Sequence, residues 1–420
     1  MGIGKMDNLF YEIAEQYGTP FYLFDMDRLK EQIEKVNCHF RGYHLCYCIK
    51  ANPFVIPFVV PYVSLLEVCS PGEFALCRHY SVDPDKIFYT GIYKNSDDIK
   101  AALEYGVRLF SCESIGQFEN LDKAAECIDE KVNVYLRYGK CNQFGLEEKE
   151  LLEIINNRSQ YRLCIKGIHY FEKSQKRNTD KINEELTDIE QLCTKIRREY
   201  DFEIQNIEYG LGLDVDYFSS DPEETMDKLL LEVSDVLKQW KRMPSVTIEM
   251  GRFFVASCGY YVTKVVDIKQ KGNVRYAVLD GGHHQMYYDG QMLGMKIPIV
   301  HNLGWTEEKD EVWTLCGCLC THNDIIVRNI VIKDLKINDI LSFEYIGAYS
   351  ITEGMTSFLI RDIPPVIIIG KGLERTPESR IGTVPQTMPM VCGNKDIGMI
   401  CARKRMDTWC LNCMDANVVC

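Results

Sequence analysis

The stretch Tyr43-His-Leu-Cys-Tyr-Cys-Ile-Lys50-Ala-Asn-Pro53 puts one lysine at the end of an apolar, β-prone run that a proline then closes. Read as a strand over Tyr43–Lys50, it is the first of eight similar runs. The others are Leu65–Ser70, Lys86–Gly91, Arg108–Glu113, Val132–Tyr138, Lys166–Phe171, Asn206–Gly212 and Ser245–Gly251. Helical patterns fall between them at Ser96–Tyr105, Ser114–Ile128, Glu147–Asn156, Thr179–Tyr200 and Pro222–Trp240. In Thr179–Tyr200 the apolar Ile182, Leu186, Ile189, Leu192, Cys193 and Ile196 recur at the three- and four-residue spacing of one helix face. Strands alternating with such helices pair in parallel through right-handed crossovers. Eight units in about 220 residues match a (β/α)8 barrel. The expected fold class is therefore α/β.

Beyond Thr263 the texture changes. Tyr276–Leu279, Glu311–Leu315, Asp324–Val331, Ile340–Tyr345 and Val366–Ile369 are β-rich, turn-separated and poor in helix, which predicts a C-terminal antiparallel β domain. Thr19–Phe24 is also β-like and precedes the first barrel strand. The expected division is an N-terminal segment contributing to the β domain (1–30), the barrel (31–263), the β domain (264–385) and a Cys-rich tail (386–420). The tail carries Cys401, Cys410, Cys413 and Cys420, but its CxxC lacks a second pair or a nearby His, so no metal is expected.

The formal charge of −13 repels nucleic acid and anionic membrane, and no basic stripe offsets it. No apolar run reaches the roughly 18 residues of a membrane span. Met1–Tyr11 lacks the apolar core of a signal peptide, and nineteen cysteines without one read as free thiols in a reducing cytoplasm. Small-molecule chemistry is the remaining expectation.

Catalytic side chains of a (β/α)8 barrel project from the C-terminal strand ends. Those ends carry Lys50, Glu67, Arg137, His169, Gly210-Leu-Gly212 and Glu249-Met-Gly251-Arg252. A lysine in an apolar strand is costly to bury charged, so its pKa should fall toward that of a nucleophilic amine able to form a Schiff base. The alternative is a strand-end lysine that reaches solvent. Glycines at strand seven and Gly251-Arg252 at strand eight suit a phosphate cradle. Glu249 beside it can hold a ring nitrogen protonated, or form a structural salt bridge with Arg252 or Arg137. An amine, a phosphate cradle and a ring-nitrogen carboxylate are together the parts that pyridoxal 5'-phosphate (PLP) requires.

Tyr47-Cys-Ile-Lys50-Ala-Asn-Pro53 resembles the lysine motif of the fold-type III PLP decarboxylases, the group of ornithine and diaminopimelate decarboxylases. The likeness continues in order through Glu67-Val-Cys-Ser-Pro-Gly-Glu73, Phe88-Tyr-Thr-Gly91 with Lys94, Arg137, Gln143-Phe-Gly145, Gly167-Ile-His169, Glu249-Met-Gly-Arg252, Asp280-Gly-Gly282, Gly317-Cys-Leu-Cys320 and Gly347-Ala-Tyr349. The resemblance implies an alanine-racemase-like barrel with a β domain, and a homodimer with shared active sites. It implies that Lys50 holds PLP, that Glu249 holds the pyridine nitrogen, and that Glu67 and Arg137 support the lysine and the Glu249 end. His169 joins that group. Gly210, Gly212, Gly251, Arg252, Ser174 and Tyr349 would surround the phosphate, and Phe171 would stack on the ring. Cys320, reaching the other subunit's cofactor, would return a proton to Cα after CO2 leaves, a task that suits a thiol.

Departures are equally specific. The segment after His169 reads Tyr170-Phe-Glu-Lys173-Ser174, where the family has a stacking His and then a Gly; Asp214 stands at a usual glycine and Met250 at a usual proline. Ornithine decarboxylases carry Asp, and diaminopimelate decarboxylases Glu, after the catalytic Cys, whereas Thr321 stands here. Gly282-His283-His284-Gln285 has no Arg nearby. Cys320-Thr321 and the His-rich segment are closer to glutamyl-carrier-protein decarboxylases of biosynthetic clusters, which implies an amino-acid substrate that is carrier-tethered or otherwise derivatised. A histidine metal pair is discounted, because adjacent strand residues face opposite ways. The competing readings are a racemase or epimerase on the same fold, and a regulatory homologue without turnover.

Overall fold

The computed structural model describes residues 3–140, 142–240, 244–304, 310–355, 358–370 and 382–383. The cysteines of the tail lie outside the described residues. The chain divides into two compact units, one of residues 30–216 and 221–255, the other of residues 1–29, 217–220 and 256–420.

The first unit is a closed barrel of eight parallel strands. Numbering in chain order from β1 (Phe21–Asp25) in the other unit, they are β2 (His44–Cys48), β3 (Leu65–Val68), β4 (Ile87–Tyr89), β5 (Leu109–Cys112), β6 (Asn133–Tyr138), β7 (Cys164–Tyr170), β8 (Asn206–Gly210) and β9 (Ser245–Met250). β2 pairs with β9 to close the ring, with Cys46 opposite Glu249. Each strand read from the sequence is present, and most are shorter at their polar ends. Cys46, Phe88 and Tyr135 fill the interior with Leu65 and Leu109 packed on them.

Crossover helices begin where side chains can satisfy their free N–H groups. Ser70 accepts from Glu73 N ahead of Pro71–His79, and Ser114 accepts from Gln117 N ahead of Ile115–Ala125. Asn95 and Asp98 form a reciprocal capping box at Ser96–Tyr105, which ends on Gly106 at φ 110°. The helix over 180–200 buries the six apolar positions that its periodicity singles out.

The second unit adds β10 (Gly259–Lys271), β11 (Val274–Leu279), β12 (Val300–Asn302), β13 (Asp310–Cys316), β14 (Ile325–Lys333), β15 (Ile340–Glu344), β16 (Val366–Ile369) and β17 (Gly382–Thr383) to β1. Most pairs are antiparallel, while β1–β16 and β11–β13 run parallel. β10 is the spine, pairing with β1, β11 and β15, and the boundary expected at residue 263 falls inside it. The helix Ile3–Tyr17, unforeseen in the sequence, packs Phe10 and Ile13 against Phe21, Leu23, Tyr260, Val262 and Ile367. No helix among the described residues is long and apolar enough to cross a membrane.

Candidate active site

β2 stops at Cys48, two residues earlier than its sequence suggests, and Lys50 sits in a 3-10 turn over Ile49–Ala51. Asn52 N closes this turn by donating to the Ile49 carbonyl at 3.0 Å, the Asn52 side chain caps the next turn by accepting from Phe54 N, and Tyr47 donates its hydroxyl to the Asn52 carbonyl at 2.8 Å. The Lys50 amine lies 2.6 Å from Glu67 Oε2, 3.6 Å from Cys69 Sγ and 4.0 Å from Glu249 Oε1. Its side chain is 37% exposed, yet the amine itself is turned inward onto two carboxylates that are nearly inaccessible. Burial lowers the Lys50 pKa, as its apolar strand suggests, but the Glu67 carboxylate outweighs it and the net value is well above ordinary. The expectation of a depressed amine is thus corrected: a carboxylate in contact favours the ammonium. Burial pushes Glu67 up, but the Lys50 ammonium holds it well below the usual carboxylate range.

Glu249, 4% exposed, is gripped on both oxygens. Cys48 donates to Oε1 at 3.1 Å, and His169 Nε2 meets Oε2 at 3.1 Å. His169 Nδ1 in turn meets Ser111 Oγ at 2.9 Å. The register explains this convergence, since β7 and β9 flank β8. A carboxylate so oriented can pair with a ring N–H. Where the sequence suggests an arginine salt bridge, a buried histidine and a thiol hold Glu249. Arg137, expected near Glu67 and Glu249, instead lies 3.5 Å from Glu113 with its guanidinium over Phe144 at 4.9 Å. Although Arg137 is the register partner of His169, its longer side chain reaches the neighbouring strand end.

Around the amine, Cys69 donates to Glu67 Oε1 at 3.2 Å and Thr90 donates to the same oxygen at 2.9 Å. Glu73 folds back to accept from Cys69 N at 2.7 Å, and burial raises its pKa to about 7. Cys48, Glu67 and Glu249 offer three potential ligand atoms within 4.8 Å of one another, but a thiol hydrogen bond and an ammonium already occupy them.

Sequence reasoning assigned no role to Ser111 or Glu208, nor to Cys69 and Thr90, although those two lie in the stretches that carry the resemblance. Glu208 is fully buried, lies opposite His169 on β8, and neither carboxylate oxygen finds a well-aligned hydrogen-bond partner among the described residues. The signal was its position two residues before Gly210, on the same face of the strand. Burial, and secondarily the charge of Glu249, raise its pKa well above the ordinary value. The folded protein then keeps a proton that the unfolded chain releases, so Glu208 makes stability fall as pH rises above about 4.3 toward the folded value. Glu208→Gln should remove that slope. Its advantage over the parent in urea unfolding should grow with pH, by at most about 1.4 kcal/mol per pH unit, and parallel pH profiles for the two proteins would refute it.

The proposed phosphate side is drawn together by close backbone approach. A Cβ on Gly212, at φ 59°, would lie 2.2 Å from the Lys173 carbonyl, and one on Gly210 would strike the Phe171 ring at 2.3 Å. These glycines let residues 171–174 lie against the end of β8, which puts Phe171, Ser174, Gly210 and Gly212 in one place. Lys173 and Ser174 are exposed there, and Asp214 lies 3.2 Å from Arg177. Gly251 is pressed by Ala51 and Cys48, and Arg252 opens the short helix Arg252–Val255. Behind this loop Lys176, Glu185 and Tyr209 form a buried cluster, with Tyr209 donating to Glu185 at 2.6 Å.

In the β unit, Asp324 Oδ1 accepts from His283 N at 2.8 Å and lies 3.0 Å from His283 Nδ1, while Oδ2 accepts from Leu319 N at 2.7 Å. One carboxylate thereby shapes the turn that presents Cys320, which is exposed. Tyr349 adopts φ 65° and Tyr345 φ 59°, on either side of Gly347, whose backbone packs against Gly259. His283 and His284 lie in a 3-10 turn rather than on a strand.

A lysine amine and a buried, doubly held carboxylate at the C-terminal end of a parallel barrel form a donor set that fits PLP. The profile of the family described as "Pyridoxal-dependent decarboxylase, pyridoxal binding domain" matches residues 26–256, more than half of the chain. Among curated proteins, the chain is 25% identical over 389 residues to the L-glutamyl-[BtrI acyl-carrier protein] decarboxylase of Niallia circulans, covering 86% of this chain and 91% of that one. It is 25% identical over 402 residues to the 2-[(L-alanin-3-ylcarbamoyl)methyl]-2-hydroxybutanedioate decarboxylase of Staphylococcus aureus, covering 85% and 95%. The solved diaminopimelate decarboxylase of M. jannaschii superposes with a TM-score of 0.76 at 22% identity, over 86% of this chain and 89% of that one. The chain belongs to the pyridoxal-dependent decarboxylase family. It is a PLP-dependent carboxy-lyase acting on an amino acid, with the alanine-racemase-like barrel and β domain of that group.

Proposed function

We propose that Lys50 binds PLP covalently and that the substrate is an amino acid whose far end is derivatised, either carrier-tethered or amide-linked. The observation that carries the first part is the Lys50 amine held 2.6 Å from Glu67 and 4.0 Å from Glu249. The second is supported by the loss of charge at Thr321 and by the two relatives whose substrates are a carrier-linked glutamyl group and a carbamoyl-linked alanine. Bound PLP supplies an electron sink for the bond between Cα and the carboxylate. Glu249, fixed by His169 and Cys48, holds the pyridine nitrogen. Glu67 orients Lys50, and Arg137 braces the loop at Phe144. Phe171 lies against the ring, while Ser174, Gly210, Gly212, Gly251, Arg252 and Tyr349 receive the phosphate. Cys320 protonates Cα in the active site of the other subunit of a cytoplasmic homodimer. The barrel unit, residues 30–216 and 221–255, is the cofactor domain, and the protein binds neither nucleic acid nor membrane.

Borohydride reduction of the yellow holoenzyme tests the anchor: the cofactor should be recovered on the Lys50 peptide, and recovery on another lysine defeats the proposal. Cys320→Ala should lower amine formation by about 10²-fold and divert product toward the carbonyl compound of transamination. Unchanged rate and product would remove Cys320 from the chemistry.

A further inference from the structure

The β unit contains a cavity of about 250 Å³ beside the turn that carries Cys320. Its wall includes His283, His284, Tyr287, Asn323, Glu353 and Met355. His283 is fixed by Asp324, the same carboxylate that sets the Cys320 turn through Leu319 N, so cavity and turn share one anchor. His284 is different. It is 1% exposed, and neither ring nitrogen has a hydrogen-bond partner among the described residues. Burial lowers its pKa, which keeps the imidazole neutral, with one donor and one acceptor. A buried polar ring with both functions unused is an exception in folded proteins and calls for an explanation.

Among the described residues the wall contains no Lys or Arg, and its only carboxylate is Glu353, which is exposed. Arg361, whose charge is felt at His284, stands outside the wall and donates to the Cys318 carbonyl at 3.0 Å. A carboxylate or phosphate ligand would enter without a counter-charge in the wall. A carboxamide instead offers an acceptor and a donor together, matching the neutral imidazole and the Asn323 side chain, while Met286, Met355 and Ile325 suit the methylenes leading to it. We propose that this cavity is the subsite for an uncharged, amide-bearing substrate side chain, and that His284 reads the amide. The assignment rests on the reading that Cys320 serves the reacting centre, since Asn323 of the same turn lines the cavity.

The test uses the PLP-loaded protein with glutamate, N5-methylglutamine, ornithine and diaminopimelate, measuring CO2 release and, separately, dissociation constants by calorimetry. The amide should exceed each charged compound at least about tenfold in kcat/KM, because a site built around hydrogen bonds discriminates on them. His284→Phe should raise KM for the amide at least about tenfold, with a smaller effect on kcat and on glutamate. His284→Asn, which keeps a donor and an acceptor, should recover most of the preference and guards against a folding defect. Equal handling of amide and glutamate, an ornithine preference abolished by Glu353→Gln, or an amide preference untouched in His284→Phe would each overturn the subsite. Tight amide binding that weakens in His284→Phe without CO2 from any compound would uphold the subsite and instead defeat the reading of the Cys320 chemistry.

Discussion

Lys50→Ala is expected to purify colourless, to stay so when PLP is added, and to release CO2 at least about 10³-fold more slowly than the parent with any substrate. The expectation follows from the crowding at the end of β2. The amine is the cation in contact with Glu67, and Glu67 is almost wholly inaccessible. Removing it deletes the proposed covalent attachment point and also leaves a buried carboxylate without its ammonium, so the variant should be less stable near neutral pH. The sign is fixed by the pKa shift: Glu67 is lowered by Lys50, so the contribution of the pair is present above the ordinary carboxylate pKa and is lost as pH falls through the folded value. A melting temperature equal to the parent's at neutral pH would mean that the pair contributes nothing. A yellow Lys50→Ala protein that borohydride still labels would mean that another lysine holds the cofactor.

Glu249→Gln comes second in expected effect. Glutamine keeps the shape and can still meet His169 and Cys48, but it carries no negative charge to favour a protonated pyridine nitrogen. A fall in kcat of about 10² to 10³ is expected, in the range seen when one preorganised electrostatic group is removed, with a much smaller change in melting temperature. If kcat dropped less than about threefold, far short of that range, the carboxylate would be structural and the ring nitrogen would be held elsewhere.

Much of the fold was legible in the sequence because barrel strands are buried and apolar while their connections carry caps. Ser96–Tyr105 and Val366–Ile369 were read to the residue. What escaped was context-dependent. β10 was overlooked because its second half, from Val266 to Lys271, largely faces solvent and reads as a mixed polar run. The helix Ile3–Tyr17 lacks an acidic first turn or a basic last turn, and its core-facing side is supplied by β1 and β10. At the site, the residues at strand ends were visible because the barrel rule names them. Their pairings were not, since Arg137 and His169 are register neighbours and only side-chain length decides which one meets Glu249. The direction of the Lys50 pKa was misread for a similar reason: burial is visible in an apolar string, but a carboxylate arriving from the next strand is not.

The left-handed backbone at Tyr345 and Tyr349 has a bearing on how an anion would be caught. Such a conformation is unfavourable by roughly 1 to 3 kcal/mol for a bulky residue, and here it is already in place on both sides of Gly347, whose backbone packs against Gly259. Tyr349 therefore surrenders little additional backbone freedom when something binds to its side chain, and a grip made this way should weaken only gently on warming.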